Sequence, residues 1–188
     1  MKKGKLIVVS GPSGVGKDTV VSEYLKRNPK DILSVSMTSR PKRDYEVEGV
    51  NYYFKTKEGF VEEINKGNLL EYAIYNDNYY GTPKSEVLER LEQGINVILV
   101  IEIQGARNIK NMLGDDALLI FVLPPSIEEL RKRLINRGTE SIEQINNRLE
   151  IADKEIRENT FYDYKIINDD IDTAVKSLEN IIKNNINE

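Results

Sequence analysis

An α/β fold on a parallel sheet with both faces covered is the architecture this sequence predicts, and three observations predict it. Four short apolar runs are rich in β-branched residues, helical patterns separate them, and a glycine-rich turn joins the first run directly to the first helix. In chain order, "LIVVS" at 6–10 is the first strand, and a helix follows over 17–27. "SVSMTS" at 34–39 is a fifth strand candidate whose C-terminal end would face a ligand. From 45 to 82 the text turns rich in Tyr, Asn and Gly, which reads as a small β-rich insert with one helix near 58–66. The alternation then resumes with a helix over 84–93, the strand "VILVIEI" at 97–103, a helix over 106–113 and the strand "LLIFVL" at 118–123. Helices over 127–136 and 142–158, the strand "YKIIN" at 164–168 and a helix over 173–184 complete the series. In "PPSIEEL", Ser126 can cap the helix from 127 and Glu129 can complete a capping box. "NRGTESIEQINNR" (136–148) joins two helices through Arg- and Gly-bearing text and suits a mobile lid.

Composition narrows the chemistry. A chain of 188 residues is long enough for one domain with a substantial core, or for a core carrying small mobile inserts. Charged residues are 31% of it with signs intermixed, and the net charge of −4 argues against coating a nucleic acid. Cys and His are both absent, which excludes disulfides, thiolate chemistry, a His base and a His triad. Catalysis must therefore rest on carboxylates, Lys, Arg, hydroxyls and bound metal. The apolar run at 6–10 is shorter than the roughly 7–15 residues of a signal-peptide core. No run approaches the ~20 residues needed to span a membrane. These features predict a cytoplasmic protein with no membrane and no nucleic-acid partner.

The stretch "GPSGVGKDT" at 11–19 carries the first chemical signal. Gly11, Gly16 and Lys17 satisfy G-x-x-x-x-G-K-[ST] up to its last position, in the strand–loop–helix context that makes the motif mechanical. Its backbone N–H groups can point at phosphate oxygens, and Lys17 can neutralise the β/γ region. The alternative is a plain glycine-rich turn. At the last position Asp18 replaces the hydroxyl that would meet Mg²⁺, and Thr19 cannot face the same way on a helix. Asp18 either points into solvent, binds Mg²⁺ through its carboxylate, or marks an impaired site.

Arg40 and Arg43 follow the 34–39 segment among hydroxyls and tyrosines, where they suit bidentate binding of one phosphate. Surface Arg pairs are common, so this signal alone is weak. Glu71 sits in apolar text, with Tyr80, Gly81 and Thr82 close behind. A buried carboxylate needs donors, and guanine offers two adjacent ones where adenine offers an acceptor. An ion-paired strand residue is the alternative reading of Glu71.

Seven ordered segments then resemble the guanylate kinase family, bacterial members above all, over roughly residues 4–184. They are "SGPSGVGK", "SVSMTSRPKRDYEVEGVNYYF", "LLEYAIYNDNYYGTP", "IQGA", "PPSIEELRKRL", "RGTES" and "NDD". The resemblance implies a three-layer P-loop NTPase α/β fold with a five-stranded parallel sheet, a small mixed α/β GMP-binding insert and a helical lid. The implied boundaries are 1–34, 84–125 and 150–188 for the core, 35–83 for the insert and 126–149 for the lid. The implied reaction converts ATP and GMP to ADP and GDP by direct in-line transfer, with Mg²⁺ accompanying ATP. Acceptance of dGMP and the choice between monomer and homodimer stay open.

Residue by residue, the resemblance assigns ATP to Gly11, Pro12, Ser13, Gly14, Val15, Gly16, Lys17, Asp18 and Thr19, with Asn168 against adenine. Ser36, Glu71 and Glu102 would read guanine, with Gly81 and Thr82 near the base. Arg40, Arg43, Tyr52 and Tyr80 would hold the GMP phosphate. Lys17 with Arg133, Arg137 and Arg148 would neutralise the transferring group. The chain departs from the family at one strand, which usually ends in two alternate acids. Glu102 keeps the base-reading acid, but Val100 stands where the acid of the metal region belongs. An acid gained at Asp18 and one lost at Val100 suggest that the metal-region carboxylate has moved to the loop; independent drift is the alternative. Two competing functions are a non-catalytic guanylate-kinase-like binding module and another nucleoside monophosphate kinase. Lys17 and the lid arginines oppose the first, and the Ser36–Glu71–Glu102 set opposes the second.

Overall fold

A computed structural model describes residues 2–75, 77–136, 138 and 141–186. The chain opens with β1 (Leu6–Ser10), α1 (Lys17–Arg27) and β2 (Ile32–Leu33). Next come β3 (Met37–Thr38), β4 (Tyr53–Phe54), α2 (Lys57–Asn65), β5 (Leu69–Tyr75) and β6 (Asn78–Pro83). The chain continues through α3 (Lys84–Glu92), β7 (Val97–Val100), α4 (Ile103–Leu113) and β8 (Ala117–Leu123). It closes with α5 (Ile127–Asn136), α6 (Ile142–Arg157), β9 (Tyr164–Ile167) and α7 (Ile171–Ile186).

The main sheet has five strands in the order β2-β7-β1-β8-β9, and every pairing in it is parallel. All five residues of β1 are buried, which explains its unbroken apolar text. Alternate side chains of the sheet leave by opposite faces. Leu6, Val8, Leu99, Leu119 and Phe121 pack with Val87 and Leu91 of α3 and Ala106 and Ile109 of α4. Ile7, Val9, Ile98, Ile120 and Val122 pack with Val20, Val21 and Tyr24 of α1 and Val175 and Leu178 of α7. A helix–sheet–helix sandwich results, the predicted α/β architecture.

The segment at 34–39 differs from its expectation. The fifth place in the main sheet belongs to β2, whereas β3 pairs parallel with β4 and antiparallel with β6 in a second sheet of order β4-β3-β6-β5. Ser34 still donates its N–H to Ile98 O at 2.9 Å, and then the chain leaves the sheet. Hydroxyl-rich text cannot fill a layer covered on both faces.

The run at 97–103 also divides: strand β7 stops at Val100, Glu102 is the N-cap of α4, and Ile103 is already helical. A short apolar run does not distinguish strand from buried helix, so periodicity alone could not place that boundary. The expected cap at Ser126 forms, its Oγ accepting from Glu129 N at 3.1 Å. A full capping box, not anticipated, joins Ser141 and Gln144 at the start of α6. Helices α5 and α6 share a small core of their own, Leu130, Leu134, Ile145, Leu149 and Ala152.

Candidate active site

Strand β1 delivers the chain into the phosphate loop, and α1 takes it away. Gly14 and Gly16 stand at φ 89° and 92°, where any other side chain would be strained, and this turn brings successive N–H groups to the N-terminus of α1. The loop is braced from below. Asn168 Nδ2 donates to Val15 O at 2.8 Å, while Arg133 donates through Nη1 to Val15 O at 3.2 Å and through Nη2 to Asn168 O at 2.8 Å. Asn168 and Arg133 therefore lie against the loop backbone, and Lys17, 8% exposed, points into the cleft in front of it.

That cleft, of about 340 Å³, lies where the two sheets meet. It gathers Ser13, Lys17 and Asp18 from the loop side and Glu102 from beyond β7. From the insert come Ser36, Arg40, Arg43, Tyr52, Glu71, Tyr80 and Gly81. Thr82 is fully buried behind Glu71, donating its hydroxyl to Oε1 at 2.7 Å. Gly11, Pro12, Gly14, Val15 and Gly16 form the loop and Thr19 lies in α1; none of the six lines this cleft. Arg148 lines a small adjoining cavity with Ser13, Tyr75, Glu102 and Glu155. Arg137, expected from the lid, lies outside the described residues.

The insert wall carries its own charge network. Glu46 is 6% exposed and takes Arg40 in a fork, Nη2 to Oε1 at 2.6 Å and Nη1 to Oε2 at 3.0 Å. Its Oε2 also accepts from Arg43 N at 2.8 Å, so one carboxylate fixes the backbone of one arginine and the guanidinium of the other. Arg40 holds the Glu46 carboxyl below the usual carboxylate range. The same guanidinium stacks over Tyr52, 5.5 Å from the ring centre. Sequence alone does not single out Glu46; its one hint is a place three residues beyond Arg43, in a segment already marked for phosphate.

Glu71 is placed differently. Burial pushes its carboxyl up to about 7, and the Thr82 hydrogen bond opposes that only in part. No cation pairs with it among the described residues, so it is not the ion-paired strand residue of the alternative reading. Such a carboxylate is poised to accept donors from a ligand. On the opposite side, burial and nearby Glu102 push Glu155 up to about 7, with Lys17 pulling the other way. Tyr75, Ala73, Ile101 and Gly105 also line the cleft; Ala73, Tyr75 and Gly105 lie in segments that carry the resemblance, but nothing in the sequence singles any of the four out.

Asp18 is exposed in the first turn of α1, yet it lines the cleft together with Val100, so the gained and lost acids do share one wall. Among the described residues no group of three or more acids converges into a closed metal cage. Mg²⁺ takes one or two carboxylates and completes its shell with phosphate oxygens and water, so a single carboxylate beside Lys17 is a donor set that fits it.

The chain is similar to known proteins along its whole length. The profile of the family described as Guanylate kinase matches residues 3–185. The guanylate kinase of Clostridioides difficile (strain 630) is 51% identical, the match covering 100% of this chain and 91% of that protein. The guanylate kinase of Synechococcus sp. (strain JA-3-3Ab) is 46% identical over 96% of this chain and 82% of its own. Among solved structures, the guanylate kinase from Anaplasma phagocytophilum superposes with a TM-score of 0.83 at 33% identity, covering 100% of this chain and 88% of that one.

Proposed function

This chain belongs to the guanylate kinase family and phosphorylates GMP to GDP with ATP, and from that premise we propose how its own residues divide the work. The observation that carries the proposal is the convergence on one cleft of Lys17, two arginines and the carboxylates of Glu71 and Glu102.

ATP binds with its phosphates on the backbone N–H groups of the 11–19 stretch, Pro12 excepted, and its adenine toward Asn168. GMP binds across the cleft. Glu71 and Glu102 accept the N1–H and 2-amino donors of guanine, assisted by Ser36, Gly81 and Thr82. Arg40, Arg43, Tyr52 and Tyr80 take its phosphate. An oxygen of that phosphate attacks the γ-phosphorus; the new P–O bond forms as the bond to the bridging oxygen of ADP breaks, and the electron pair leaves with ADP. The attacking phosphate dianion has no proton to lose, so a chain without His or Cys lacks nothing the step requires.

Lys17, Arg137 and Arg148 offset the charge spread over the transferring group, while Arg133, bonded to Val15 O and Asn168 O, steadies the loop and would have to turn from these carbonyls to join them. Mg²⁺ bound with ATP, with Asp18 as its protein contact, would supply further neutralisation of the β and γ oxygens. The insert (35–83) and the lid (126–149) close over the core and exclude water, which would otherwise compete as acceptor. The separate second sheet and the private core of α5 and α6 support motion as units. Among the described residues no helix is long and apolar enough to cross a membrane, and a cytoplasmic location is part of this reading.

The test measures ADP formation from MgATP with GMP, dGMP, AMP, CMP, UMP and dTMP. Turnover with the guanine nucleotides alone, reduced in Glu71→Gln, is the expected result. Equal use of AMP would overturn the assignment of the base-reading residues.

A further inference from the structure

We infer that Gly105, on the first turn of α4, is a specificity-determining residue: its missing side chain is the space that the Glu71 carboxylate occupies. The inference rests on the reading that Glu71 accepts the donors of guanine. Gly105 is buried in a helix, and its φ is not positive, so the backbone itself does not call for glycine. Helix propensity alone would favour alanine there.

What excludes alanine is contact. A methyl carbon built on Gly105 would fall inside the van der Waals envelope of Glu71 Oε2, 3.2 Å from Glu71 Cδ and 3.3 Å from Ile101 Cδ1. The carboxylate cannot retreat freely. Thr82 holds Oε1 at 2.7 Å, and the side chain is buried. Gly105 on one side and Thr82 on the other therefore form the slot that aims Glu71 into the cleft. Gly105 acts through Glu71 and positions it. A methyl at 105 would swing the carboxylate away, break its bond to Thr82 and unmake the two-point contact with guanine. Loss of a paired acceptor weighs most on the ligand that uses both donors.

The experiment is a cycle of Gly105→Ala and Glu71→Asp, read as kcat/KM for GMP and for the purine monophosphate that lacks the 2-amino group, inosine monophosphate. KM for ATP is followed in each variant as an independent readout. Gly105→Ala is expected to lower the GMP-to-IMP preference at least tenfold while KM for ATP shifts less than twofold. Glu71→Asp shortens the side chain by one methylene and vacates the slot. Adding Gly105→Ala to Glu71→Asp is therefore expected to leave the preference within twofold of Glu71→Asp alone. The same factor lost in both backgrounds, or a double variant that fails to fold where Glu71→Asp folds, overturns the inference, because the glycine would then serve helix packing. If Gly105→Ala alone does not fold, the comparison in the Glu71→Asp background still decides. Glu71→Gln reads the premise separately: an unchanged preference there removes the base-reading role itself, whatever Gly105→Ala does.

Discussion

In the proposed binding mode the two walls of the cleft solve the same problem, holding a phosphate, by different means. On the loop wall the anion site is backbone: a turn fixed by positive φ at Gly14 and Gly16, a helix N-terminus, and one buried cation, Lys17. On the insert wall it is side chain: Arg40 and Arg43 are aimed by Glu46, and Arg40 stacks on Tyr52. A backbone site is rigid once the strand and helix form. A side-chain site must have its charges positioned by further charges, each of which is also a point of failure. The loop should therefore be sensitive at one residue and the insert at several.

Removing the single cation of the loop is the severest test of that difference. Lys17→Ala should lower kcat by about 10²–10³-fold, the scale for losing one preorganised donor at developing charge, while GMP binding by calorimetry stays within severalfold. On the other wall, Glu71→Gln should lower kcat/KM for GMP roughly 10- to 150-fold, the scale of one charge-assisted hydrogen bond, with KM for ATP unchanged. Glu46 touches neither base nor transferring group in the proposed pose, so Glu46→Ala should act on KM for GMP alone. The expected rise is about tenfold, because Arg40 loses its fork and Arg43 its backbone anchor. An equal fall in kcat would mean that the two walls are not separable.

The carboxyl of Glu71 adds a pH dependence to GMP binding on the insert wall. In the empty cleft it titrates at about 7, and guanine donors require the carboxylate. KM for GMP should therefore be flat above that pH and rise about tenfold per unit below it, because binding must then expel a proton. Guanosine, which has no phosphate to titrate, should show the same limb in a binding assay, and Glu71→Gln should lack it. The smallest effect concerns the metal region. Asp18→Ser and Val100→Asp should each shift the Mg²⁺ midpoint a few-fold, and the double variant should lie closer to the parent than the singles predict if the two positions are coupled.

How much of this is legible in the sequence follows the same division. The loop is local: strand, glycines, lysine and helix lie within 6–27, and its pattern identifies it without tertiary information. The main sheet is equally open to reading, since a strand buried on both faces must be apolar throughout. The insert is readable in outline but not in detail. Its residues 34–39 pattern with the wrong sheet, because two-residue strands such as β2 and β3 carry no period to detect. Glu46 and Gly105 stay hidden for a different reason. What makes them matter is a neighbour distant in the fold's logic, a guanidinium turned back on its own loop and a carboxylate arriving from another element, and no spacing encodes that.

Asn168 under the loop and α7 against α1 set the order in which this protein can come alive during its synthesis. The loop leaves the ribosome early, yet β1 needs β7 and β8 on either side, Val15 needs Asn168, and the buried face of α1 needs Leu178 and Ile182. At about 5–20 residues per second, some 8–30 s pass between the emergence of Gly16 and that of Ile182. Throughout that interval the nascent chain holds the motif for nucleotide binding without the floor beneath it. Local sequence writes the site first, and distant sequence makes it work last.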